Sequence, residues 1–196
     1  MTSPETIIAG TTTAPAHLRR IVLTGFMGAG KSTIGRLLAA RLNWDFLDLD
    51  AHLEARTRTT IPELFATHGE AHFRRLESTA LASALAHPLT VLALGGGTPE
   101  SITNRLLLEQ TPATLTIFLD APFPTLFDRC VLQDLGSAQE ARPVLSDPVA
   151  AEARFNHRHP LYRRLAAITI PTAEQTPSES VDALLLALTQ LKHTRP

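Results

Sequence analysis

An α/β domain, with a parallel sheet covered by helices on both faces, is the fold class this sequence predicts. Two observations carry the prediction. Short apolar runs of β type alternate with helical patterns along the chain, the signature of strand–helix–strand crossovers. The chain also has 196 residues, 44% of them apolar, which suits one buried core and leaves little room for a second.

The elements follow in order from Arg20. Residues 21–24 are an apolar run that stops at a glycine-rich turn, and 33–42 read as a helix. A second strand is expected over 45–50, followed by a helical stretch broken by Pro62 and Gly69. A clearer helix is expected over 71–86, with apolar residues at 73, 76, 80, 81 and 85. Residues 90–94 form a buried-type strand that ends in three glycines; 115–120 and 167–170 are two more strands. The stretch 133–148 has two prolines and little periodicity, and is expected to be a mobile lid inside the domain. An amphipathic helix starting near Ser178 closes the chain. No internal repeat is present.

Composition narrows the function. Eighteen basic against nineteen acidic residues give a net charge of −1, so nothing in the whole chain attracts nucleic acid or an anionic membrane. An anion site would have to be local. No apolar run reaches the length of a membrane span. Residues 1–17 are rich in Thr, Ala and Pro and lack the basic start and apolar middle of a signal peptide, so a disordered extension and a cytoplasmic location are expected, with 18–196 as a single domain. Cys130 is the only cysteine, which excludes an intrachain disulfide; it reads as a small apolar filler.

Gly25-Phe26-Met27-Gly28-Ala29-Gly30-Lys31-Ser32 matches the phosphate-binding pattern G-x-x-x-x-G-K-[ST], with a strand before it and a helix after it. Its glycines let the backbone wrap closely, so that N–H groups and the positive helix end face phosphate oxygens. Lys31 would neutralise the β- and γ-phosphates, and Ser32 would ligate Mg²⁺. The motif specifies a nucleotide and leaves the acceptor open.

Four features belong to the acceptor side. Asp48 and Asp50 are two residues apart at the carboxyl end of the second strand, so both are expected to project from the same face. They read either as an ordinary acidic strand exit or helix cap, or as one carboxylate for a metal's outer shell and one for an acceptor hydroxyl. Glu70, Arg74 and Glu77 share a helix face, as a solvated ion-pair stripe or as part of a site. Gly95-Gly96-Gly97 is better explained by close approach of a ligand to the backbone than by packing. Arg142, in the expected lid, is placed to add positive charge to a transferring phosphoryl group.

Taken in order, GFMGAGKSTIGRLLA, FLDLDAHLE, GEAHFRRLE, LALGGG, ARPVL and RHPLYRRLA resemble the shikimate kinase family. The resemblance runs from about Ile21 to the last helix. It implies a nucleoside-monophosphate-kinase-like fold, a three-layer α/β/α arrangement around a five-stranded parallel sheet of order 2-3-1-4-5, with a lid and a substrate-binding subdomain. It also implies transfer of the γ-phosphoryl group of ATP to the 3-hydroxyl of shikimate, with Mg²⁺, by a cytoplasmic monomer. On that basis Asp50, Arg74, Gly96 and Arg158 would hold shikimate. Gly28, Ala29, Gly30, Lys31, Ser32, Thr33, Arg142 and Gln175 would hold ATP, while Ser32 and, through water, Asp48 would serve the metal. Lys31, Asp50 and Arg142 would be the catalytic groups. The sequence departs from the family's pattern at Pro171 and Gln175, in the loop that flanks adenine.

Overall fold

A computed structural model of the chain describes residues 14–135 and 147–193. Five strands form one parallel sheet: β1 Arg20–Thr24, β2 Asp45–Asp48, β3 Thr90–Ala93, β4 Thr114–Asp120 and β5 Ile168–Pro171. Their spatial order is β2-β3-β1-β4-β5, as the resemblance implies. The order reverses at β1, which pairs with β3 on one side and β4 on the other. A ligand crevice is expected outside the carboxyl ends of the strands at such a switch point.

The helices are α1 Lys31–Leu42, α2 Leu49–Thr57, α3 Ile61–Ala84, α4 Ile102–Gln110, α5 Phe123–Leu135, α6 Pro148–Leu165 and α7 Pro177–His193. Side-chain parity in β1 divides the core between the two faces. Ile21 and Leu23 pack with Ile34 and Leu38 of α1 and with Leu184 and Leu188 of α7. Val22 packs on the opposite face with Leu53 of α2, Phe73 and Leu81 of α3 and Leu108 of α4. Every residue of β3 is buried, as befits a strand covered on both faces. None of the described helices is long and apolar enough to cross a membrane.

The structure corrects the expected boundaries. β2 ends at Asp48 instead of residue 50, because the Asp48 side chain accepts from the backbone N–H groups of Asp50 and Ala51 and so caps α2. Asp48 and Asp50 therefore do not share a strand face: the first is a helix cap and the second sits in the first turn of α2. α3 begins ten residues earlier than expected, at Ile61, behind a Thr60–Glu63 capping box. It is two helical segments meeting at Gly69, whose φ of 72° and ψ of 173° lie outside the helical region. Helices α4, α5 and α6 go beyond the sequence reading. The expected lid, 133–148, starts inside α5 and ends on the first residue of α6; residues 136–146, Arg142 among them, lie outside the described residues. At the amino-terminal end Pro15 is buried and its carbonyl accepts from the Leu18 N–H at 2.9 Å, so packed chain reaches back into the stretch expected to be an extension.

Close packing at one point sets a limit that helix propensity alone would miss. Gly35 lies inside α1, where alanine is favoured by about 1 kcal/mol in an isolated helix. A Cβ there would stand 2.5 Å from Phe46 Cε2 and 3.3 Å from Leu23 Cδ1. Gly35→Ala is therefore expected to destabilise by roughly 1–3 kcal/mol, seen as a lower Tm in thermal denaturation. A rise in Tm would show that α1 and β2 are not packed this closely.

Candidate active site

The turn after β1 is built to leave N–H groups for an anion. Asp48, Thr60, Ser101 and Asp147 cap α2, α3, α4 and α6 with side-chain oxygens. α1 has no side-chain cap and no acidic residue in its first turn, so the orphan donors of that turn face the glycine loop. Gly28 and Gly30 have φ of 75° and 88°, which glycine adopts at little cost. At Gly28 space is also short: a Cβ would meet the Leu126 carbonyl oxygen at 2.3 Å and Cys130 Sγ at 3.0 Å. Cys130 is fully buried, and packs the floor beneath the loop.

Lys31 Nζ donates to the carbonyls of Gly25 at 2.8 Å and Phe26 at 3.0 Å. Burial lowers its pKa to about 8, against the opposing attraction of Asp50 and Asp48. Ser32 Oγ donates to Asp48 Oδ2 at 2.7 Å, so the two residues expected to serve a metal are in contact. Asp50 is the mirror case of Lys31. Burial, then the nearby charge of Asp48, raises its pKa to about 6, while Lys31 pulls it down.

These groups meet in one cavity of about 530 Å³ at the switch point, lined by Gly28, Gly30, Lys31, Ser32, Thr33, Asp48, Asp50, Gly96 and Arg158, together with Met27, Leu94 and Gln133. An adjoining cavity of about 260 Å³ holds Ala29, Gln175 and Arg129. The Arg129 guanidinium donates to the Thr172 and Ala173 carbonyls, and the buried Gln175 Oε1 has no hydrogen-bond partner there. Arg74, expected in the acceptor site, is absent from the lining of the larger cavity.

Arg74 is held by carboxylates instead. Its Nη1 donates to Glu77 at 3.0 Å, and its Nη2 to Glu70 at 3.2 Å and Glu100 at 3.0 Å. Burial alone would lower the Arg74 pKa, but Glu77, Glu70 and Glu100 outweigh it and raise it above its ordinary value. This is no solvated stripe, since the Glu77 side chain is only 2% exposed and is also bonded by Thr98 Oγ1 at 2.8 Å and approached by Asn104 Nδ2 at 3.5 Å. Arg158 donates to both oxygens of Glu100, at 3.1 and 3.2 Å. The sequence reading missed Glu100, which no motif marks, and Tyr162, whose hydroxyl donates to the Gly96 carbonyl at 2.6 Å.

The triple glycine acquires a different reason from the one expected. A Cβ on Gly95 would stand 2.6 Å from Asp50 Oδ1, and one on Gly97 would stand 2.8 Å from both terminal nitrogens of Arg74. It is therefore the protein's own acceptor-side chains that press on this backbone at Gly95 and Gly97. Only at Gly96 is the nearest atom at ordinary contact distance, Arg158 Nη1 at 3.7 Å.

The shikimate kinase family profile matches residues 27–189. A shikimate kinase of Thermobifida fusca is 40% identical over 169 residues, spanning 83% of this chain and 91% of the relative. One of Psychrobacter cryohalolentis is 37% identical over 175 residues, spanning 88% and 90%. The chain belongs to the shikimate kinase family. Among solved structures, shikimate kinase from Acinetobacter baumannii in complex with shikimate superposes with a TM-score of 0.79 at 32% identity, covering 89% of this chain and 95% of that one. Membership makes the enzyme an ATP-dependent kinase and explains why one sheet edge carries both a phosphate loop and a cluster of carboxylates and arginines.

A shikimate kinase fold that buries Asp50 does so against its own stability. The folded pKa, about 6, lies above the unfolded value of 3.8, so the native state binds the proton more tightly. The cost is complete above about pH 6 and vanishes below about pH 4. Asp50→Asn is expected to raise the Tm of the ligand-free protein at pH 8 by roughly a few degrees, with the gain fading as pH falls toward 4. An equal change at pH 8 and pH 4 would show that the carboxylate is not disfavoured by its surroundings.

Proposed function

We propose that this enzyme transfers the γ-phosphoryl group of ATP to the 3-hydroxyl of shikimate, giving ADP and shikimate 3-phosphate on the route to chorismate and the aromatic amino acids. The observation that carries the reading is the convergence of Lys31, Ser32, Asp50, Gly96 and Arg158 on one cavity at the sheet's switch point. Residues of the phosphate loop and of the exit of β3 both line that cavity. Shikimate is a carboxylate with three hydroxyls, so an acceptor site needs a cation fork and a hydrogen-bond acceptor. Arg158 supplies half of the fork, with Arg74 held nearby by Glu100, and Asp50 supplies the acceptor.

In this reading Asp50 takes the proton of the reacting hydroxyl as its oxygen bonds to the γ-phosphorus and the bond to ADP breaks. A carboxylate whose pKa has risen to about 6 is a better base at neutral pH than an ordinary aspartate and is still mostly ionised there. Lys31 leaves its own loop's carbonyls to lie along the β- and γ-phosphates. Arg142 would add charge to the transferring group from the segment after α5. Gln175 and Ala29, in the smaller cavity, would sit toward the nucleoside end of ATP.

Mg²⁺ fits the oxygen donors at the loop. Ser32 would ligate it and Asp48 would hold one of its waters, and when bound it would draw negative charge from the phosphates. No group of three or more His, Cys, Asp or Glu side chains that could hold a metal exists among the described residues, which suits an ion completed by phosphate and water. ATP as co-substrate favours a cytoplasmic enzyme. Balanced charge gives it no reason to bind nucleic acid or membrane, and the reading is of a working monomer.

A coupled ADP-release assay across shikimate, gluconate and nucleoside monophosphates tests the acceptor. Turnover should be confined to shikimate, and Asp50→Asn should lower its kcat by roughly 10²–10⁴-fold with little change in ATP affinity. Faster turnover of gluconate or a nucleoside monophosphate would refute the acceptor, and a silent Asp50→Asn would remove Asp50 from the chemistry.

A further inference from the structure

Glu100 grips the two acceptor-side arginines as a substrate carboxylate would. Its Oε1 accepts from Arg158 Nε at 3.1 Å, and its Oε2 accepts from Arg158 Nη2 at 3.2 Å and Arg74 Nη2 at 3.0 Å. That is a two-point fork on one guanidinium and a bridge to the second, the arrangement by which paired arginines bind a carboxylate.

Arg74 does not depend on Glu100 alone to stay in place, and Arg158 has a neighbour besides Glu100. Arg74 is fastened by Glu77, itself almost wholly buried and bonded by Thr98. Arg158 lies against the buried Tyr162, whose hydroxyl is tied to the Gly96 carbonyl. Glu100 is open to solvent in part. It ends the single turn Thr98–Glu100, whose first two residues are buried while its side chain remains 26% exposed. The charges also match before any ligand arrives, since Arg74 and Arg158 are met by Glu77 and Glu100, with the exposed Glu70 adding a third carboxylate. A second anion entering beside Glu100 would gain little. With Glu100 in this position Arg74 does not reach the cavity lining.

We infer that Glu100 is a resident carboxylate that the carboxylate of shikimate displaces, so that this side chain sets the enzyme's affinity for its acceptor. The inference rests on the shikimate reading above. Binding draws only on molecules whose arginines are released, so apparent affinity is reduced by that fraction, and weakening the resident contact restores it.

Glu100→Gln keeps the shape and removes the charge. Its KM for shikimate should fall by roughly 3–10-fold while its KM for ATP stays constant. The upward shift in Tm produced by a fixed, sub-saturating shikimate concentration should be larger than in the unmodified enzyme. If the Gln variant folds poorly, Glu100→Ala carries the same expectation. An unchanged or higher KM for shikimate would overturn the inference and make Glu100 a fixed brace for the arginines. Failure of the unmodified enzyme to phosphorylate shikimate would overturn the acceptor assignment and this inference together, and that outcome is distinguishable from the first.

Discussion

Where β3 leaves the sheet, Asp50 and Arg74 lie against backbone that carries no side chains. A single added carbon at Gly95 or Gly97 would fall within 2.8 Å of one of them. β3 pairs in parallel with β1, so this exit lies beside the start of the phosphate loop. The bare glycine backbone therefore leaves room for the Asp50 carboxylate and the Arg74 guanidinium beside that loop. The cap at Asp48 serves the same end: by stopping β2 there it starts α2, and the first turn of α2 carries Asp50 into the cavity.

Such crowding concentrates charge, and the charges of the site answer one another only in part. Lys31 and Asp50 each suffer from burial, which lowers one pKa and raises the other, and each is the other's main compensation or close to it. Glu77 is the extreme case, a buried carboxylate satisfied by Arg74 and Thr98. Glu100 differs because it is partly exposed and bridges two arginines, Arg74, which Glu77 also holds, and Arg158, which lies against Tyr162. The cluster thus ranges from the buried Glu77 to the partly exposed Glu100 and the exposed Glu70.

Much of this was legible in the sequence. The phosphate loop was, because its chemistry needs particular residue types at fixed spacing between a strand and a helix. The strands were, because a parallel sheet buried on both faces leaves continuous apolar runs. Helix α6 was not, as Pro160 stands inside it and its surface is dense in arginine and histidine. Its start did carry a signal, an aspartate cap followed by proline at Asp147-Pro148. In the site, Arg74 and Arg158 were recognisable by motif, but Glu100 was not. It lies three residues beyond the triple glycine and gains its role only when the turn Thr98–Glu100 brings it between α3 and α6. The glycines were read as a place where a ligand approaches the backbone, and at two of the three positions the close atoms are the protein's own.

The influence of these glycines on the acceptor site is tested most directly at Gly95. A Cβ there would press on Asp50 Oδ1 at 2.6 Å and on Thr98 Oγ1 at 3.1 Å. Steady-state kinetics of Gly95→Ala should show kcat for shikimate reduced by roughly tenfold or more, the usual cost of misplacing a reacting group, with KM for ATP unchanged. An alanine variant with full kcat would contradict the account, since Asp50 would then hold its position without the space the glycine leaves.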